Sequence, residues 1–392
     1  MAMQVAYVII TPYTIRKSRT GVVLARLLGR VTAEPIAARM FAPTGELAKA
    51  FSAQVWTQGG TDSAKYRTLV RDYVVENFSP EPNGSRQRTL MLVFKGENVQ
   101  TEISQTVGHL SISGITGETI RDTYGDLVWN PDGSVRYFEP AVLIGGSMDS
   151  VAADLRLWMD FADRQGPILT DVCAYERPEK VQRTLVLIKP DSWGRRSSRP
   201  GSILDMFSRT GLRIIGCKIV QLSVAQALEF YGPVRDVLCR KLAPGIGAKA
   251  REVLQSTFNC KLPVSLEPLL TENVGVPYAI DQFERIVEFM SGTRPSALPA
   301  SEHCTPGRVK CMALVYEGED AVSKIRDVLG PTDPSKAPDG TVRREFGSDV
   351  MVNTAHASDS PENAKREMAI LKLTEGLFSQ VVREALKECG YE

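Results

Sequence analysis

An unbroken apolar run, Val5-Ala6-Tyr7-Val8-Ile9-Ile10, opens the chain and reads as a buried strand. The same signal returns at Leu185-Val186-Leu187-Ile188, and both runs end on a polar residue followed by proline, Thr11-Pro12 and Lys189-Pro190. A polar, basic loop follows each, and then a glycine opens a helical pattern: Gly21-Val22-Val23-Leu24 and Gly201-Ser202-Ile203-Leu204. Further on, Leu92-Val93-Phe94-Lys95-Gly96-Glu97-Asn98 is echoed by Leu314-Val315-Tyr316-Glu317-Gly318-Glu319-Asp320, and Thr119-Ile120-Arg121 by Thr341-Val342-Arg343. Gly21 and Gly201 lie 180 positions apart, but Arg121 and Arg343 lie 222 apart, so the second copy carries 222 − 180 = 42 extra residues. Two long copies indicate a duplicated domain, since a solenoid needs at least three short repeats.

Within the second copy the pattern predicts a strand at Thr184–Ile188, a helix carrying Ile203, Leu204 and Phe207 that stops at Gly211, a strand at Leu212–Val220 and a helix at Val224–Tyr231. A strand at Met312–Tyr316 follows, then a helix at Ala321–Leu329 ended by Gly330-Pro331. Val350 and Val352 alternate as a short strand, and a last helix covers Pro361–Leu371. Strands and helices in alternation, twice over, predict an α+β fold: two tandem domains, each an antiparallel sheet covered by helices. The breaks at Gly166-Pro167 and Arg177-Pro178 place a linker at 166–182, between domains at 1–165 and 183–392, with the extra segment at about 232–280. That segment is partly helical at Lys249–Phe258. Its glycines, Ala243-Pro244-Gly245-Ile246-Gly247, lack the spacing of a phosphate-binding loop.

Composition narrows the function. The formal charge is +1, with 43% apolar and 24% charged residues, so no large field favours nucleic acid or an anionic membrane. No apolar run approaches a bilayer span, and the first residues form a strand pattern instead of a signal peptide. Seven cysteines without a Cys-x-x-Cys pair suit a reduced, cytoplasmic setting. His303-Cys304 and Cys311 lack the paired spacings of a zinc site. The basic loop Arg195-Arg196-Ser197-Ser198-Arg199 reads as a solvated turn.

The chain has only three histidines. His356 sits among small residues in Asn353-Thr354-Ala355-His356-Ala357-Ser358-Asp359-Ser360, where a bulky anion could reach it. A neutral imidazole is nucleophilic near pH 7 without a base. Ser360 and Pro361 read as cap and first residue of the following helix, on which Glu367 lies eleven positions after His356.

Five further elements complete a pattern: Lys189-Pro190-Asp191; Arg326 in Lys324-Ile325-Arg326-Asp327-Val328-Leu329-Gly330; Thr332 in Gly330-Pro331-Thr332-Asp333-Pro334; Gly340-Thr341-Val342-Arg343; and Glu367. With the histidine motif they resemble the nucleoside diphosphate kinase family over most of 183–372, apart from the insertion. The resemblance implies a ferredoxin-like βαββαβ fold and transfer of the γ-phosphate of a nucleoside triphosphate, usually ATP, to a nucleoside diphosphate through a phosphohistidine at His356. It implies that Glu367 orients the imidazole, that Ser358 holds Glu367, and that Lys189, Tyr231, Arg326, Thr332 and Arg343 meet the phosphates. Asn353 would hold the ribose and Val350 the base. Mg²⁺ would arrive on the nucleotide phosphates with no metal ligand from the protein. Family members are hexamers built from dimers.

The second copy departs from the family at the base pocket, where Gln282 stands in place of a stacking phenylalanine and Phe283, Tyr278 or an insertion residue would substitute. The first copy has Thr11 in place of Lys189 and Ser104 in place of Arg326, keeps Arg121, and has no histidine within Pro140–Ser150. Its one histidine, His109, matches no catalytic position. The expectation is one active domain and one degenerate domain that form a pseudo-dimer, with three chains imitating a hexamer. The alternative is a nucleotide-binding or scaffolding module with vestigial kinase activity.

Overall fold

The computed structural model describes residues 2–55, 63–110, 117–193 and 196–391. They form two compact units, residues 1–219 with 312–392, and residues 220–311. The larger unit contains two modules of one design. The first is built around β1 (Met3–Ile10), α1 (Thr20–Arg30), β2 (Glu34–Phe41), β3 (Thr89–Glu97), α2 (Val99–Val107), β4 (Val142–Ile144) and α3 (Met148–Ala162). The second consists of β5 (Val181–Ile188), α4 (Arg199–Ser208), β6 (Arg213–Val220), β7 (Cys311–Glu319), α5 (Ala321–Leu329), β8 (Ala355–Ala357) and α6 (Pro361–Ile370).

The sheets run β2-β3-β1-β4 and β8-β5-β7-β6. Numbered within its module, each has the order 4-1-3-2, the split βαββαβ arrangement of the ferredoxin-like fold. The first strand is central in both and buried on both faces, which explains the unbroken apolar runs. Even the register repeats. Ile10 pairs with Leu90 and Val142, and Ile188 pairs with Met312 and Ala355.

The two modules are joined where α1 crosses α4. A Cβ on Gly201 would lie 2.0 Å from the Ala25 backbone nitrogen and 2.5 Å from the Gly21 carbonyl, and one on Gly21 would lie 2.3 Å from the Asp205 nitrogen. Backbone meets backbone there, and only glycine permits that approach. The repeated glycines that open these helices are therefore a packing device.

The core of the first module gathers Phe41, Phe51 and Trp158, with Phe41 and Trp158 edge-on at 4.9 Å between ring centres. Helix α7 (Phe378–Glu388) completes it: Phe378, Val382, Ala385 and Leu386 are buried in this same core, and Glu388 pairs with Lys95 of β3. The last helix of the chain thus belongs, by packing, to the first module.

The smaller unit is helical, with helices at Val224–Phe230, Gly232–Lys241, Ala243–Phe258 and Val276–Ser291. The glycines of 243–247 lie inside a helix, where Gly247 lets Thr271 approach closely. Phe283, Val287 and Met290 are buried, whereas Tyr278 is exposed. Among the described residues, no helix is long and apolar enough to cross a membrane. All seven cysteines are free thiols.

Gly201→Val should force the α1–α4 crossing apart and destabilise the protein by about 1–3 kcal/mol, as overpacking does. Chemical denaturation reads this directly, and an unchanged midpoint would mean that the crossing bears no load.

Candidate active site

Strand β8 is three residues long. Ala355 and Ala357 are buried against the sheet, and His356 between them alternates to the other face, where its side chain is partly exposed. The sequence pattern had suggested a strand at Val350–Val352. Those residues instead form a turn, in which Ser348 N donates to Val352 O and Asn353 Nδ2 to Val350 O at 2.7 Å. Val350 is 61% exposed at its tip. The alternation was misleading because local donors, and not a neighbouring strand, take up these carbonyls: the Asn353 side chain at Val350, Lys189 Nζ at Met351 and Ser348 N at Val352.

Thr354 precedes β8 with φ +72°, an uncommon conformation for a β-branched residue. Its carbonyl accepts from Lys189 N at 2.8 Å. Ala141 occupies the matching place in the first module with φ +60°, and its carbonyl accepts from Thr11 N. The kink is therefore a property of the scaffold, and the repeat is the signal that reveals it.

Helix α6 starts as its sequence indicates: Ser360 Oγ accepts from Asn363 N, and Pro361 takes the first position. Fixing this start aims Glu367 at β8. Glu367 is 4% exposed, and its Oε2 accepts from Ser358 Oγ at 2.6 Å and lies 2.9 Å from His356 Nε2. A carboxylate is acceptor only, so this contact puts the ring proton on Nε2 and the lone pair on Nδ1.

The cations occupy different settings. Lys189 is buried, and its Nζ donates to Asn353 Oδ1 at 2.6 Å and to Met351 O at 3.4 Å. Asn353 Nδ2 also donates to Thr332 O at 3.1 Å. Arg343 is buried and donates to Gly330 O at 2.9 Å and Ala355 O at 3.0 Å. Residues 330–332 are thus suspended between Arg343 and Asn353. Arg326, on α5, is exposed, and its side chain has no hydrogen-bond or ion-pair partner among the described residues. Thr332 is exposed just beyond it. Tyr231 belongs to the smaller unit, where it closes the helix Val224–Phe230 with its ring against Phe230.

The basic loop is less solvated than its composition suggests. Arg199 pairs with Asp191 at 3.2 Å and donates to Phe346 O, and Arg196 donates to Arg30 O. Arg195 lies outside the described residues. Burial raises the Asp191 carboxyl above its ordinary range, against the pull of Arg199 and Lys189.

By strand register, the first module places Leu143 where the second places His356, because Leu143 pairs with Ile9 as His356 pairs with Leu187. Counted from the helix caps Ser147 and Ser360, Asp154 matches Glu367. Asp154 is fully buried, accepts from Tyr7 Oη at 2.7 Å, and is pushed up to about 7 by that burial. Thr11, matching Lys189, bonds to buried Glu139 at 2.9 Å.

The model of the nucleoside diphosphate kinase family matches residues 182–237 and 298–375. A nucleoside diphosphate kinase of Sulfurisphaera tokodaii is 31% identical over 203 residues, which cover 52% of this chain and 97% of that protein. The chain belongs to the nucleoside diphosphate kinase family. Nucleoside diphosphate kinases of Staphylothermus marinus (31% identical, covering 49% of this chain and 92% of that protein) and Bdellovibrio bacteriovorus (32%, 48% and 92%) are similar as well. The nucleoside diphosphate kinase match includes all ten candidate residues from Lys189 to Glu367, skips 238–297 within the smaller unit, and leaves the first module outside.

Two substitutions test this geometry. Asn353→Ala removes the acceptor for Lys189 and two donors, and should cost about 1–3 kcal/mol of stability, measured by denaturant titration. Asp154 holds its proton up to about pH 7 when folded, against an ordinary carboxyl value of 3.8, so the folded state binds the proton more tightly and stability should fall as pH rises through that window. Asp154→Asn should flatten the slope. An identical slope in both proteins would rule out this origin.

Proposed function

We propose that this chain is a nucleoside diphosphate kinase that works by a ping-pong route through His356. The observation that carries the reading is the His356 Nε2 to Glu367 Oε2 contact at 2.9 Å, buttressed by Ser358. With Nε2 holding its proton toward Glu367, Nδ1 of His356 would attack the γ-phosphorus of a nucleoside triphosphate in line. The N–P bond forms as the bond from γ-phosphorus to the β,γ-bridging oxygen breaks, and the nucleoside diphosphate leaves with that electron pair. A second nucleoside diphosphate then attacks through a terminal β-phosphate oxygen and regenerates the imidazole. Glu367 orients the ring and stabilises it as charge develops, the part a carboxylate plays beside a catalytic histidine.

Such a transfer is catalysed mainly by positioning and by cations that take up charge on the equatorial oxygens. Arg326 and Lys189 would meet the phosphates, with Thr332 donating its hydroxyl. Arg343 would hold residues 330–332 in place and add its charge. Asn353 would hold the ribose hydroxyl, and Val350 would lie against the base. Mg²⁺ would be carried in on the nucleotide phosphates, with no metal ligand from the protein. When bound there, Mg²⁺ neutralises phosphate charge.

Leu143 at the histidine position supports a first module without phosphotransfer activity. It would serve as the partner subunit of a pseudo-dimer, and three chains would imitate a hexamer. The free thiols favour a cytoplasmic setting.

Incubation with γ-labelled ATP should place acid-labile phosphate on His356, and His356→Ala should remove it together with nucleotide exchange, by at least about 10³-fold. Glu367→Gln should slow exchange on the order of 10²-fold or more while leaving nucleotide affinity nearly unchanged. Tight nucleotide binding without any label on His356 would instead favour a binding or scaffolding module.

A further inference from the structure

A second basic pocket lies at the seam between the two modules, apart from His356. It encloses about 800 Å³ counting its mouth. Arg16 reaches it from the short helix Pro12–Arg16 after β1, Arg86 and Arg88 from the approach to β3, Arg213 from the start of β6, and Cys173 from the segment joining the modules. Glu81 is the single carboxylate in its wall. Four guanidiniums against one carboxylate leave a formal 4 − 1 = +3.

Three of these arginines are already anchored. Arg86 Nη2 donates to Thr170 O at 3.0 Å, Arg88 Nη1 to Ile214 O at 2.7 Å, and Arg16 Nη1 to Gln87 Oε1 at 3.1 Å, with Glu81 at 3.6 Å. Carbonyl oxygens orient a guanidinium without neutralising it, and each arginine carries five N–H donors. Arg213 is exposed, and its side chain has no hydrogen-bond or ion-pair partner among the described residues. Burial lowers the Arg88 guanidinium, and repulsion from Arg213 adds to that effect, against the pull of Cys173, Tyr175 and Glu317. Two like charges held near each other in a partly buried wall are relieved by an anion between them, and arginine forks match phosphate oxygens in pairs.

We propose that this seam pocket binds a multiply charged phosphate group, of a free polyphosphate or of a nucleotide, and that the bound anion bridges the two modules. A singly charged carboxylate would leave most of the +3 uncompensated, which selects for a chain of phosphates. The site differs from the phosphotransfer site in position and in residues, so either can exist without the other.

Cys173 supplies a local reporter. The full-length protein is treated with iodoacetamide, a neutral reagent, and alkylation of the Cys173 peptide is timed by mass spectrometry at constant ionic strength. Inorganic tripolyphosphate at ten times its dissociation constant should slow that reaction about tenfold, in the wild type and in Arg326→Met alike. Arg213→Gln should abolish the protection, and Arg213→Lys, which keeps the charge and loses the fork, should retain part of it. Both changes are at an exposed side chain, and unchanged thermal unfolding without ligand confirms that the fold survives. Equal protection by ATP and tripolyphosphate with none by adenosine identifies the phosphate chain as the ligand; stronger protection by ATP identifies a nucleotide. Cys173 alkylation that tripolyphosphate leaves unchanged, or protection that persists in Arg213→Gln, overturns the proposal.

Discussion

Glu367 is a carboxylate with almost no access to water, and such a charge is tolerated only where hydrogen bonds answer it. His356 and Ser358 answer it here. That requirement reaches through the whole second module. Glu367 must be aimed, so helix α6 must begin at Ser360. His356 must be presented, so β8 must pair with β5 in one register, which the left-handed turn at Thr354 sets. The same turn gives its carbonyl to Lys189, whose side chain then meets Asn353. One buried carboxylate thus couples the start of a helix, the edge of a sheet and the end of a central strand.

The first module shows what the scaffold does when that demand is absent. Its strands, register and left-handed turn are those of the second module, but Leu143 occupies the histidine position. The remaining polar groups close on themselves: Asp154 with Tyr7, and Glu139 with Thr11 and with Tyr73 at 2.6 Å. These pairs tie the groups to neighbours within their own module. One scaffold thus carries two different sets of side chains within one chain, as expected when function resides in side chains placed on a general scaffold.

Much of this was legible in the sequence because the signals are local or repeated. Central strands buried on both faces must be apolar throughout, so β1 and β5 stood out. Ser360-Pro361 marked a helix start through its own capping chemistry. The duplication exposed the shared scaffold, including Gly21 and Gly201, although not that these two glycines touch. What escaped depends on partners distant along the chain. Val350 and Val352 alternate like a strand, but Asn353 binds the Val350 carbonyl and keeps the segment a turn. Arg199 looked like part of a solvated loop until Asp191 and Phe346 O supplied its contacts. No periodicity in Phe378–Glu388 announces which module that amphipathic face will cover.

That last helix has a consequence for how the protein comes into being. Residues of the first module leave the ribosome long before Phe378, Val382 and Leu386, yet those side chains fill its core. The first module must therefore wait, with Phe41 and Trp158 lacking their final cover, while the entire second module is synthesised. Translation order and packing order run in opposite directions, which makes loss of the helix Phe378–Glu388 a lesion of the module at the other end.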